Sequence, residues 1–144
     1  MRFDHLEAPL CQLDEGPLAG LRHRTVIDAT AGAKQLALWQ EEHKSGFRVP
    51  PHRHNCEEII TVLDGEILAD IDGQNHTVKA GESILIPEWA SHGFQVMGER
   101  PVRLLAIFGS AKPGIYREDG TPSTPPWEGG NSAHLESPAD SQAN

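Results

Sequence analysis

The chain has 144 residues, room for one compact domain with tails but not for two ordinary domains. Its formal net charge of −9, from 21 acidic and 12 basic residues, argues against a nucleic-acid partner held through phosphate neutralisation. Its longest apolar runs, such as residues 104–108, fall far short of the roughly 20 residues a bilayer span needs, so no membrane partner is expected either. The charge is unevenly placed. Residues 118–144 hold Glu118, Asp119, Glu128, Glu136 and Asp140 with no Lys or Arg, so this tail supplies −5 and the rest of the chain only −4. Cys11 and Cys56 lack CxxC spacing, and no basic, apolar and small-residue leader opens the chain; a reduced, cytoplasmic protein is the expectation.

In chain order, residues 1–23 read as an irregular arm or a short strand lying on the domain, because Pro9, Gly16, Pro17 and Gly20 interrupt any helical periodicity. Strands are predicted near 24–29, 34–42, 57–63, 66–71, 74–79, 83–86, 92–97 and 102–108. Short strands at this spacing with turn signals between them argue an all-β antiparallel sandwich or barrel over βαβ units. Asp64-Gly65 and Asp72-Gly73 supply the positive φ of tight turns and predict a meander over 57–79. Beyond Tyr116 the composition turns to Pro, Ser, Gly and Asp, which cannot bury enough apolar surface to offset ordering entropy. The expected layout is an arm (1–23), a barrel domain (24–116) and a tail (117–144). Roughly the last fifteen residues are expected to be disordered, and Trp127 and its prolines to lie on the barrel exterior.

The stretch RVPPHRHNCEEIITVLDG, residues 48–65, carries the chemistry. Successive strand residues face opposite sides, so His52, His54, Cys56, Glu58 and Ile60 share one parity. With Ile60 inward, two imidazoles and a carboxylate enter the interior, where each costs desolvation energy unless a partner satisfies it. One metal ion would satisfy all three. Pro50 and Pro51 mark a strand start or rim. His92 begins another predicted strand, on the face of Phe94 and Val96, and is the candidate fourth ligand. Cys56 reads as a small core residue or a thiol near the pocket. Arg48, on the parity of His52, is a candidate carboxylate binder. Trp39, Trp89, Phe94 and Leu105 are candidate cavity walls. Tyr116 is a candidate acid or base if the C-terminal segment covers the opening. His76 reads as an exposed sheet residue. His5, His23, His43 and His134 lack ligand-like spacing and read as surface residues.

These residues resemble the cupin superfamily. Its first motif, a glycine, five residues, His-x-His, three or four residues, Glu, six residues and glycine, is present as Gly46, His52, His54, Glu58 and Gly65. The second, a glycine, five residues, Pro-x-Gly, two residues, His, three residues and Asn, is present as Gly81, Pro87 and His92, with Trp89 for the second glycine and Val96 for the asparagine. The resemblance implies a double-stranded β-helix, or jelly-roll barrel, over about 24–110, with His52, His54, Glu58 and His92 as metal ligands. It also implies a homodimer, formed by pairing of sheets or by exchange of N-terminal strands, for which residues 1–30 are the candidate arm.

Three imidazoles and a carboxylate suit Fe(II), Mn(II), Ni(II), Co(II) or Zn(II) and leave coordination positions for substrate. The reading is therefore a metal-dependent enzyme acting on a small organic substrate, with Fe(II) dioxygenase chemistry as its specific form and Glu58 as ligand and proton acceptor. The alternatives are a lyase or isomerase on the same site, or a non-catalytic module that binds a small molecule or metal.

Overall fold

The computed structural model describes residues 1–3, 10–12 and 18–128. Twelve strands are seen among them: β1 (Cys11–Gln12), β2 (Leu21–Ile27), β3 (Ala37–His43), β4 (Arg48–His54), β5 (Glu58–Asp64), β6 (Glu66–Ile71), β7 (Gln74–Lys79), β8 (Ser83–Ile86), β9 (His92–Val96), β10 (Val102–Phe108), β11 (Ile115–Tyr116) and β12 (Pro122–Ser123). Short 3-10 turns occupy Ala29–Ala31 and Pro126–Glu128. The strands form two antiparallel sheets, in the orders β1-β2-β3-β10-β5-β8 and β12-β11-β4-β9-β6-β7. This is a jelly-roll barrel. Alternating side chains of both sheets, among them Val62, Ile67, Val96, Val102 and Phe108, fill the space between them.

The predicted strands recur, with the two-residue strands β1, β11 and β12 and the longer β4 added, and with one correction. In β4 two prolines argue against a regular strand, yet residues 48–54 pair with β9 through a β-bulge between Val49 and His52 that takes up Pro50 and Pro51. The correction concerns the meander. Asp72 and Gly73 both have positive φ (48° and 85°) and join the paired strands β6 and β7 as a tight hairpin. At Asp64-Gly65, however, the chain changes sheets, because β5 pairs with β10 and β8 while β6 pairs with β7 and β9. Gly65 is required there: its φ is +88°, and a Cβ would stand 2.7 Å from the Pro101 carbonyl oxygen.

β2 begins at Leu21, inside the span expected to be an arm, and the chain beyond Tyr116 continues through β12 to a buried Trp127. Trp127 is therefore not on the exterior. It stacks on His23 with ring centroids 3.7 Å apart and meets Trp39 edge-on at 4.8 Å, so the segment closes over the open side of the barrel. The expected disorder of the last residues, together with His5 and His134, falls outside the described residues.

Candidate metal centre and cavity

His52 and His54 end β4, Glu58 opens β5 and His92 opens β9, so four side chains converge from three strand ends at one end of the barrel. The donor atoms of the three histidines lie within 4.8 Å of one another. Glu58 Oε1 approaches to 3.1 Å from His92 Nε2 and 3.4 Å from His54 Nε2.

Each ring is oriented from behind. His52 Nδ1 lies 2.9 Å from the Pro50 carbonyl, His54 Nδ1 2.8 Å from that of Gly114, and His92 Nδ1 2.9 Å from that of Ala90. A carbonyl can only accept, so each Nδ1 carries the proton and each Nε2 presents a lone pair. Glu58 Oε1 and His92 Nε2 are buried, and their close approach lacks hydrogen-bond alignment. Two such orphaned atoms are costly alone and are satisfied together by a cation. The donor set of three neutral imidazoles and one carboxylate thus fits a divalent transition metal.

The electrostatics agree. Burial, followed by the neighbouring His92 and His54, pushes the His52 imidazole down to about 4. Burial likewise lowers His54, against the attraction of Glu58. Burial also acts to lower His92, but the adjoining Glu58 carboxylate prevails and raises it. His52 and His54 are accordingly neutral near pH 7, the state in which imidazole binds a metal.

These four residues form one end of a cavity of about 340 Å³ between the sheets. Trp39, Ile60, Phe94 and Ala106 make its walls, Glu41 and His43 its other end, and Ile115, Tyr116 and Trp127 close one side.

A family model described as Cupin_2, Cupin domain, matches residues 39–108. The dimethylsulfoniopropionate lyase DddW of Ruegeria pomeroyi is 36% identical over 110 residues, covering 76% of this chain and 72% of that one. The chain is a cupin. The polyketide cyclase RemF from Streptomyces resistomycificus superposes with a TM-score of 0.69 at 26% identity, covering 81% of this chain and 84% of that one. Auxin-binding protein T92 of Nicotiana tabacum is 36% identical over 64 residues, 44% of this chain, and the chain spans about a third (34%) of its length.

Within this cupin the four expected ligands are together, and Phe94 lines the cavity. Arg48, Cys56 and Trp89 do not line it, and each departure has a local cause. The bulge at Pro50-Pro51 reverses parity, so Val49 faces the cavity with His52 while Arg48 is exposed on the other side. Residues 55–57 form the bend between β4 and β5, so Cys56 leaves the face of His54 and Glu58 and packs in the core. Burial and then the Glu58 charge push its thiol up to about 11, which removes any thiolate character. Trp89 is 43% exposed and lies in the left-handed region at φ +64°, where the family pattern has glycine; a side chain there costs about 1–2 kcal/mol. Its backbone is clamped, however: its N–H donates to the His54 carbonyl at 2.9 Å, and its own carbonyl accepts from Arg53 Nη1 at 2.6 Å. Trp89 thus braces the end of β4 from outside, its ring packed on Tyr116 at 4.7 Å.

Tyr116 is among the residues that line the cavity, although the pairing of β11 with β4 sets Ile115 opposite His54 and Tyr116 opposite Arg53. Two histidines expected at the surface are instead buried: His23 and His43 are 0% and 1% exposed. Both bond to Glu41, a residue absent from the sequence-level candidates. The available signal was parity, since Trp39, Glu41 and His43 alternate on β3; two polar residues in that pattern read instead as a solvated face. His76 is exposed on β7, an edge strand, as expected.

Proposed function

We propose that this cupin is a metal-dependent lyase that takes a proton from a small carboxylate substrate and expels a group from the adjacent carbon. The observation that carries this reading is a proton-handling side chain, Tyr116, on the wall of the cavity that the metal ligands open into. Elimination needs a protein group to exchange the proton; oxygen activation does not. The wall therefore favours a lyase over the Fe(II) dioxygenase expected from the ligand set. Likeness to a lyase over most of both chains supports the same class.

His52, His54, Glu58 and His92 would hold the metal, which when bound supplies Lewis acidity toward the substrate carboxylate. The phenolate form of Tyr116 is assigned to accept the proton at Oη and becomes the neutral phenol. The C–H electron pair becomes the carbon–carbon double bond, and the bond to the leaving group breaks with its electrons departing on that group. Gly114 allows this placement: a Cβ there would stand 2.6 Å from the Tyr116 ring, so only glycine lets the tyrosine lie against the loop whose carbonyl holds His54. Trp39, Phe94, Ile60 and Ala106 keep water from the reacting carbons.

The test is anaerobic turnover of dimethylsulfoniopropionate and related β-substituted carboxylates by metal-replete protein. Product is expected without oxygen. Tyr116→Phe is expected to lower kcat by roughly 100-fold with metal content unchanged. Oxygen uptake matching product formation would overturn the reading. A homodimer is part of the same proposal: Ile59, Leu63 and Leu85 are exposed apolar residues on the outer face of the first sheet. A monomer at micromolar concentration in sedimentation would remove it.

A further inference from the structure

The cavity has a second polar end, and its geometry is as defined as that of the first. Glu41 Oε2 lies 2.7 Å from His23 Nδ1, and Glu41 Oε1 lies 3.0 Å from His43 Nε2. His23 Nε2 meets Thr25 Oγ1 at 2.9 Å; in the neutral ring that burial favours, Nδ1–H donates to Glu41 and Nε2 accepts from the hydroxyl. His43 Nδ1 is buried and has no partner; an Nε2–H tautomer leaves a lone pair there, not an unpaired N–H. Burial alone would raise the Glu41 carboxyl, but the hydrogen bonds from His23 and His43 outweigh it and hold the group well below the usual carboxylate range. Burial lowers His23. The cluster therefore holds a buried carboxylate charge that is felt as far as His54.

A buried carboxylate that serves only packing is an expensive choice, since neutral side chains of similar volume would avoid its desolvation. This one borders the cavity, and the surface beside it is aromatic: Trp39 and Trp127 both line the same space. The register places the two ends apart along the barrel. Glu41 stands opposite Leu104 and Leu104 opposite Val62, four residues along β5 from Glu58, or about 13 Å of strand rise before the side chains reach inward. The first end, three neutral imidazoles and Glu58 around a divalent cation, is net positive. The second is net negative.

We propose that Glu41 is the counter-charge for a methylated onium group, so that the cavity takes a zwitterion lengthwise, its carboxylate at His52, His54, Glu58 and His92 and its cation against Glu41 and Trp39. A sulfonium or quaternary ammonium needs no hydrogen bond from a carboxylate whose oxygens already accept one each, and it gains attraction from indole faces. The inference rests on the metal-centre reading of the first end, not on which reaction follows.

The experiment compares two probes on metal-replete wild type by calorimetry: γ-(trimethylammonio)butanoate and its isostere with a quaternary carbon in place of the nitrogen. Neither has a leaving group β to the carboxylate, so binding is read without turnover, and loss of the lyase reading leaves this result standing. Wild type is expected to prefer the zwitterion by at least about tenfold, equivalent to about 1.4 kcal/mol. Glu41→Gln should bring the ratio to about one with metal content unchanged, and Glu41→Asp should retain a preference for the cation. A wild-type ratio below about threefold, no binding of the zwitterion, or an unchanged ratio in folded, metal-replete Glu41→Gln would each overturn the proposal. The wild-type comparison decides it even where the variants do not fold.

Discussion

Gly93→Ala tests how the backbone holds the metal centre. Gly93 follows His92 on β9 and faces the bulge of β4, where a Cβ would stand 2.5 Å from the Val49 carbonyl oxygen and 3.1 Å from Pro50 C and Pro51 N. The first distance is roughly 0.8 Å inside the closest ordinary C···O approach of about 3.3 Å, and every atom it meets is backbone. The methyl can be accommodated only if β4 and β9 separate, yet His52 and His92 are cross-strand partners in that same pair. Overpacking of this kind costs about 1–3 kcal/mol, so at about 2 kcal/mol the melting temperature should fall by roughly 6–10 °C for a domain of this size. The same displacement separates two ligands, and metal affinity should drop by about tenfold or more. Thermal melts of the chelator-treated protein read the first effect, and competition with a chromogenic chelator reads the second. A variant that melts as wild type and binds metal equally well would show that the strands are not held as tightly as these contacts require.

His54→Ala removes a buried ligand and its Gly114 anchor, and elemental analysis should find metal content well below one ion per chain; full occupancy would remove His54 from the centre. Trp127→Ala removes the aromatic that closes the cavity between His23 and Trp39, with an expected cost of about 3–5 kcal/mol by denaturant titration; a cost under about 1 kcal/mol would place Trp127 on the surface in solution. Acid should destabilise the chelator-treated protein. The folded pKa of His52 lies below its unfolded value, so the stability this residue contributes is complete above about pH 6.5 and is lost as pH falls toward about 4. The shift is worth on the order of 3 kcal/mol. His54 and His23 act in the same sense; His92, raised by Glu58, opposes them. Equilibrium melts across that window should show the loss, and added metal should move it to lower pH; stability flat from pH 7 to 4 would contradict buried neutral histidines.

What could be read from the sequence was what depends on spacing. The interval from Gly46 to Gly65 brings the candidate ligands His52, His54 and Glu58 together because the bend at residues 55–57 and the bulge at Pro50-Pro51 are part of the pattern. Parity alone does not survive those irregularities. It placed Arg48 and Cys56 with the ligands, and the chain turns both away. The Glu41 cluster was hidden for a different reason. On β3, Glu41 and His43 look like solvent-facing polar residues, and only the register with β2 and the arrival of Trp127 reveal that the face is enclosed. Composition likewise does not show that Trp127 is buried, because one tryptophan carries little weight in the polar average of its neighbours.

The C-terminal segment belongs to the site as much as the barrel strands do. The barrel supplies three of the four candidate ligands from β4 and β9 and the fourth from β5, but the acceptor that fixes His54 is Gly114, beyond the last long strand. Gly114 is itself held by its N–H to Asn55 Oδ1 at 3.0 Å, in the bend between His54 and Glu58. The ligand, its orienting carbonyl and the bend that carries the next ligand form one closed circuit of hydrogen bonds. Tyr116 leaves this circuit two residues later and Trp127 ends the segment against His23, the partner of Glu41. One short stretch of chain thus touches both charged ends of the cavity. A change that loosens it should weaken metal binding through Gly114 and the Glu41 cluster through Trp127 together, a coupling that a barrel with an independent lid would not show.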